Sequence, residues 1–446
     1  MSTHRARYLP REQGVAAWNA ILGPRGAHPP LEGASVADFV VVGAGFAGLS
    51  AARRLRQLQP SARITVLEAG RVAEGAAGRN SGFMIDLPHE LTSEDYAGAG
   101  DDRAMIALNR AAIGFARAAV EDYGINPDYF DPVGKVNGAV SDAAHAHNLS
   151  YAAHLESLGE GHELLDAQQM SEMTGSLYYR SGLYTPGTVM LQPAGYIRGL
   201  ADGLIREEVS LHEQSPVTAL TRKGTDWRVE TPHGAVSSPR VILATNGHLE
   251  SFGFAKGRLM QLFLFASMTP ELDAEQLAKL GGAPRWGITP SNPMGTTMRR
   301  IDSGQGGNRI VTRTCAVLRS DLAARADDVT RAARIQRGKF DARFPQLAGL
   351  RMEFEWAGHL CLSLNSVSVM RELEPGLFSA CVQNGLGTAR GTLTGIGAAE
   401  LACGEHSPIT AHFTAEPEPK SLPPKPVRDL GANVVLRWKE WQARDE

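Results

Sequence analysis

The chain has 446 residues, 43% of them hydrophobic and 21% charged, with a formal net charge of -3. That length exceeds what one hydrophobic core ordinarily supports, so about two domains are expected, and the composition is that of an ordinary soluble globular protein with no basic footprint for nucleic acid. Cys315, Cys361, Cys381 and Cys403 fall in no metal-ligating spacing, so neither a bound metal nor a disulfide framework is expected.

The first residues, MSTHRARYLPREQGVAAWNAILGPRG, lack an apolar run followed by a small-residue cleavage site, so no export signal is expected. No window approaches the roughly 20 apolar residues of a spanning helix, and a cytoplasmic location follows as the expectation. Phe39 to Val42 then read as a buried strand. Gly43, Gly45 and Gly48, with Phe46 and Ala47 between them, fill a G-x-G-x-x-G pattern, and Leu49, Ala52 and Leu55 share one face of a following helix. A second strand, Ile64 to Leu67, ends at Glu68, 20 residues beyond Gly48. An acid there accepts hydrogen bonds from an adenosine ribose, while glycine amides and the helix N-terminus hold a pyrophosphate. This much suits a nicotinamide cofactor as well as FAD. Next comes GAAGRNSGFM, Gly75 to Met84, where small residues offer backbone amides at close range around Arg79, Asn80 and Ser81.

The fingerprint, Glu68 and GAAGRNSGF in this order resemble the D-amino-acid oxidase superfamily of flavoproteins, in its sarcosine oxidase and gamma-glutamylputrescine oxidase branch. The resemblance implies an α/β chain: a Rossmann-like FAD-binding domain of glutathione-reductase type, interleaved with an α+β substrate domain built on an antiparallel sheet. It also implies FAD, and the expectation adopted is a flavin held without a covalent bond. In that family the glycine-rich segment runs under the pyrophosphate and beside the isoalloxazine, so Glu68, Ala69, Gly78, Arg79, Asn80, Ser81 and Gly82 are expected at the cofactor. Later stretches continue the likeness. PPLEGASVAD precedes the first strand, and LQPAGYIRGLADGL (191–204) is expected to be a helix returning the chain to the flavin domain. LHEQSPVTAL puts Val217 at the adenine, and RVILATNGHL puts Ala244, Thr245, Asn246 and Gly247 near the cofactor. In NGLGTARGTLTGIGAAELA, Gly385, Leu386, Gly387 and Thr388 precede a small-residue helix whose N-terminus is expected at the flavin's pyrimidine oxygen.

Flavin-domain pieces are thus expected at 36–90, 190–250 and 355–410. The substrate domain is expected at 91–189, mostly helical, and at 251–354, a sheet roofing the flavin. Residues 411–446 read as a Pro-rich connector and a helix. Trp438 and Trp441 with Arg437, Lys439 and Arg444 admit a membrane-surface helix, but the expectation adopted is a closing helix packed on the protein, since one short helix with acids at its end is a weak anchor.

In this superfamily a neutral amine gives up hydride to flavin N5 and the imine hydrolyses, so the cofactor does the hard step. Arg79 is the candidate for stabilising reduced flavin, and His359 is a candidate base, with a structural imidazole as the alternative. Members that oxidise alpha-amino acids carry an arginine just after Trp-x-Gly, where it clamps the carboxylate. Here Trp356, Ala357 and Gly358 are followed by His359. A polyamine-like or N-substituted amine is therefore expected, unless Arg299, Arg300 or Arg313 from the roof strands supplies the clamp. Cys361 stands in the part of the chain where sarcosine oxidases attach their flavin, with a buried free thiol as the alternative. The electron acceptor, oxygen or a carrier, is left open. An amino-acid oxidase or dehydrogenase, a nicotinamide-linked dehydrogenase and a flavin-binding module without turnover are the other readings.

Overall fold

The computed structural model describes residues 2–88, 101–292 and 294–446. The boundary expected at 90/91 lies outside them. Strand Phe39–Val42 is buried along its whole length, as an interior strand covered on both faces must be. It leads through the glycine turn into helix Phe46–Leu58 and pairs in parallel with strand Ile64–Leu67. The sheet built on this unit has the order Ser210–His212, Ile64–Leu67, Phe39–Val42, Arg240–Leu243, Leu377–Cys381, Val369–Glu374. All its pairings are parallel except the last, which is an antiparallel hairpin. Helix Pro193–Arg206 covers the expected returning segment, with proline at its first position and the Gln192 side chain accepting from the Gly195 amide. The small-residue helix is Ala389–Cys403, and its composition has a packing cause. A Cβ on Gly395 would stand 2.1 Å from the Ala47 carbonyl oxygen, so only glycine lets it lie against helix Phe46–Leu58.

The roof is an eight-stranded sheet with the order Phe354–Ser363, Leu259–Met268, Arg309–Leu318, Thr297–Ile301, Trp286–Pro290, Lys135–Ala139, Ser181–Thr185, Glu163–Leu165. Two expectations are corrected here. Residues 91–189 supply helices Asp102–Tyr123 and Asp142–Leu158, but also three of these roof strands. Lys135–Ala139, KVNGA, carries only one β-branched residue and is buried throughout, so neither propensity nor alternation marks it; pairing with Trp286–Pro290 and Ser181–Thr185 makes it a strand. Strand Phe354–Ser363, expected to open the third flavin-domain piece, hydrogen-bonds along its length to Leu259–Met268 and belongs to the roof. A further sheet, Thr3–Arg5, Ala219–Lys223, Asp226–Glu230, Gly234–Ser238 and Gly33–Val36, flanks the parallel one. The last two helices are Pro408–Ala415, which straddles the boundary expected at 410/411, and Lys425–Gln442.

Candidate cofactor and substrate site

The glycine turn is shaped by contacts a side chain would break. Gly43 has φ +106°, and its Cβ would stand 2.7 Å from the Ala244 carbonyl oxygen; a Cβ on Gly48 would stand 1.7 Å from the Gly43 oxygen. Gly48 is therefore a packing glycine behind the turn, while Gly43, Ala44, Gly45, Phe46 and Ala47 line a long cavity. The unpaired amides of a helix N-terminus favour an anion at this end. Glu68 sits at the end of the second strand, where its carboxylate oxygens accept from the Ala44 amide at 2.8 Å and the Gly70 amide at 3.0 Å. Burial raises its pKa and those amide bonds pull against the rise. Leu67, Ala69, Pro216 and Val217 form the wall beside it.

The glycine-rich loop is held by its own polar side chains. Asn80 donates to the Ala77 oxygen at 2.6 Å and accepts from the Gly82 amide at 2.8 Å, and Gly78 packs on the Ala73 backbone. Arg79 borders the cavity, but its guanidinium donates to the carbonyls of Glu74 (2.6 Å), Gln13 (3.1 Å), Ala357 (3.1 Å) and Gly14 (3.0 Å) and lies 3.4 Å from Glu12. These bonds pin the loop to the amino-terminal segment and the roof, so the expected flavin-tuning cation also has a structural task. Gly75 to Ala77, Ser81 and Gly82 offer the cavity mostly backbone.

Ala244, Thr245 and Asn246 line the cavity; Gly247 does not, and instead makes room for Gln261 and His359, since its Cβ would meet the Gln261 oxygen at 2.2 Å. Gly385, Leu386, Gly387 and Thr388 line the opposite side, with Thr388 donating to the Phe83 carbonyl at 2.7 Å. The approach to them is strained. Val382 has φ +65° and Asn384 +49°, a left-handed conformation that β-branched valine seldom adopts and that gathers at ligand loops.

From the roof, Leu264, Ala266, Thr289, Thr297 and Arg313 face the cavity. Arg313 lies opposite Ala266 in the sheet. The register shifts just beyond it, where Cys315 is the extra residue at φ +72°, a bulge of the kind that re-aims side chains. Among the described residues Arg313 has no ion-pair or hydrogen-bond partner, and burial alone lowers its pKa to about 10. Arg299 and Arg300 are elsewhere. Arg299 donates to the carbonyls of Ser81 (3.1 Å) and Leu191 and to Gln305 (2.8 Å) over the Trp18 ring; Arg300 donates to the Gly281 carbonyl. Both are structural, and neither borders the cavity.

His359 lines the cavity, and its protonation is settled by its neighbour. The Gln261 amide nitrogen donates to the Gly247 carbonyl at 3.1 Å and to Glu250 at 3.0 Å, so its oxygen accepts from His359 Nε2 at 2.9 Å. Burial and nearby His248 push the His359 pKa down to about 3, leaving a neutral ring with Nδ1 as acceptor. The candidate general base thus lacks basicity, which leaves the structural imidazole of the alternative reading. Cys361 is absent from the cavity wall: it belongs to the core cluster that also holds Leu259 and Cys381, and burial pushes its pKa well up.

The pattern-based reading missed the amino-terminal segment. Thr3–Arg5 pairs with Ala219–Lys223, the Ala6 amide donates to the Thr218 carbonyl at 2.9 Å, and Ala6, Tyr8, Leu9, Pro10 and Glu12 line the cavity. No spacing or periodicity in those residues announces it.

These residues fit FAD. Gly387 leaves a cradle on the cavity side, since a Cβ there would meet nothing within 4 Å; Glu68 is held by backbone amides as a hydrogen-bond acceptor, and apolar Leu67 and Val217 wall the cavity beside it. A parallel sheet with this turn, an acid closing its second strand and a cavity running on beneath an antiparallel roof define an oxidoreductase of the flavoprotein kind. The chain belongs to the DAO family of FAD dependent oxidoreductases, whose family model matches residues 38–401. Its relatives include a probable oxidoreductase OrdL of Haemophilus influenzae, 26% identical over 92% of this chain and 93% of that protein. The gamma-glutamylputrescine oxidoreductase of Escherichia coli is 26% identical over 82% of this chain and 84% of its own length. The same fold occurs in glycine oxidase from Geobacillus kaustophilus, with a TM-score of 0.67 and 16% identity over 84% of this chain and 96% of that one. It occurs also in the L-amino acid deaminase of Proteus myxofaciens, with a TM-score of 0.66 and 13% identity over 92% and 97%.

Proposed function

We propose that this enzyme oxidises the C–N bond of a small amine that also carries a carboxylate, an N-substituted amino acid or a polyamine bearing an acidic group. The observation that carries the reading is Arg313, a half-buried cation without a partner among the described residues that lines the cavity opposite Ala266. An isolated buried charge is costly, and a bidentate carboxylate is the partner its planar fork suits. The reading keeps the expected N-substituted or polyamine-like amine and adds an anionic group to it. The name of the E. coli relative, which joins a glutamyl group to an amine, is in keeping with it.

Bound FAD supplies the hydride acceptor, and the resulting imine hydrolyses in water. Residues 43–47, Glu68, 75–77, 79–82, Val217 and 385–388, which line the cavity, would hold it. Arg313 orients the substrate by its carboxylate. His359, neutral and with Nε2–H committed to Gln261, accepts a hydrogen bond at Nδ1 and so aligns an N–H rather than removing a proton. The test is an anaerobic absorbance titration of the holoenzyme with amines that have or lack a carboxylate, followed by air. Bleaching only by carboxylate-bearing amines is the expected result, and the rate of colour return separates oxygen from a carrier as acceptor. Equal bleaching by plain polyamines overturns the reading.

A further inference from the structure

Helix Lys425–Gln442 is amphipathic in the sense opposite to a packed surface helix. Its polar side faces the protein. Asn433 accepts from the Leu318 amide at 3.0 Å, Glu440 accepts from the Ala316 amide at 2.9 Å, and Arg437 donates to the Ala316 carbonyl at 3.1 Å, so the helix satisfies the backbone of the roof strand by side chains. No residue within it is buried. Its apolar side faces outward: Val427, Leu430, Val434, Trp438 and Trp441 recur at helical spacing, with exposures from 53% to 71%. At 1.5 Å per residue the stripe is about 21 Å long. The expected closing helix does pack on the protein, but by the wrong face for burial.

The charges around the stripe point to what covers it. Asp429 turns inward to Ser320, and Glu440 to Arg331 and Arg437. Lys425, Lys439 and Arg444 stay exposed, and the exposed acid beside them, Asp445, lies 3.7 Å from Arg444. A second copy of this helix aligned in parallel would bring Lys425 and Lys439 each against its own counterpart. A single stripe of this length and a helix's width of about 10 Å also falls short of the roughly 1,200 Å² that stable protein interfaces bury. An apolar face rimmed by cations complements an anionic lipid surface.

We propose that helix Lys425–Gln442 docks the enzyme reversibly on anionic membranes, its apolar stripe in the headgroup boundary and Lys425, Lys439 and Arg444 against lipid phosphates. Among the described residues no helix is long and apolar enough to cross a membrane, so the contact is peripheral. The experiment floats the FAD-loaded protein with phosphatidylcholine vesicles containing or lacking phosphatidylglycerol. Trp18, Trp227, Trp286 and Trp356 are buried, so a blue shift in emission on adding vesicles reports Trp438 and Trp441. Flotation with the anionic vesicles alone, reversed by salt and accompanied by that shift, is expected. Trp438→Ser/Trp441→Ser should abolish it at an unchanged flavin-to-protein ratio, and Lys425→Glu/Lys439→Glu should weaken it roughly thirtyfold or more. No flotation with anionic vesicles overturns the proposal, as do binding that both variants retain and a dimer, seen by light scattering, that the tryptophan variant dissociates.

Discussion

Arg313→Met removes a roof cation that lines the cavity and has no partner among the described residues, and keeps most of the side-chain bulk. A carboxylate on the guanidinium forms two charge-assisted hydrogen bonds in a buried setting, together worth on the order of 3 kcal/mol. Each 1.36 kcal/mol is tenfold, so kcat/KM for a carboxylate-bearing amine should fall on the order of a hundredfold, mainly through KM, since the contact is made before and during hydride transfer alike. Stability should move the other way. The folded pKa of about 10 lies below the ordinary arginine value, so the charged form is disfavoured by the fold. That penalty is present at all pH values below about 10 and fades only as pH rises above it. Removing the cation therefore leaves the melting temperature at neutral pH equal to or above that of the parent, and Arg313→Lys should recover part of the lost KM effect. Steady-state kinetics and a thermal melt on the same preparations decide the matter. A variant that melts lower while keeping its KM would refute the argument, because Arg313 would then be a structural cation.

The two cavity-side histidines predict acid lability: burial lowers His359 to about 3 and His248 to about 4, below the unfolded value of 6.5, so the unfolded chain takes up protons that the fold refuses. Stability should be level above about pH 6.5 and fall below it by up to about 1.4 kcal/mol per pH unit for each ring, and melts from about pH 7.5 to about 4.5 should be flattened in His359→Asn. Gly48→Ala places a Cβ 1.7 Å from the Gly43 oxygen and should cost on the order of 3 kcal/mol with loss of bound flavin, read from the melt and the visible-to-ultraviolet absorbance ratio. Because the Cys361 sulfur lies in the core away from the cavity, acid precipitation should leave all the flavin in the supernatant; a yellow pellet would contradict it.

What was legible in the sequence is what a few adjacent residues decide. Gly43 to Glu68 encode a strand, a turn that rejects Cβ atoms, a helix and an acid within one short stretch, so their contacts follow from spacing. The glycine-rich loop was legible as backbone, but the destination of the Arg79 guanidinium was not: its acceptors at Gln13, Gly14 and Ala357 come from remote parts of the chain. Strand Lys135–Ala139 and the amino-terminal segment were opaque for the same reason. Each owes its conformation to partners far off in sequence, Trp286–Pro290 in one case and Ala219–Lys223 in the other. The outward apolar stripe of Lys425–Gln442 had a visible period, yet which face meets the protein depends on amides of Ala316 and Leu318 that no helix pattern contains.

The absent arginine after Trp356 shows how a motif and a function separate. The motif ties the clamp to one strand, but a substrate requires only a cation at a point in space. Ala266, on the neighbouring strand, faces Trp356 on one side and Arg313 on the other. The position without the arginine is His359, which pairs with Phe263, three residues along that strand from Ala266, so it and Arg313 stand two strands apart and at different levels of the roof, both on the cavity wall. Moving the cation needs a side chain that leaves its strand toward the cavity, and the bulge at Cys315, with its left-handed backbone, breaks the alternation next to Arg313. An arginine missing from a motif consequently argues against a carboxylate only where no neighbouring strand can reach the same point. Here Arg313 lines the same cavity as His359, and it has no other partner among the described residues.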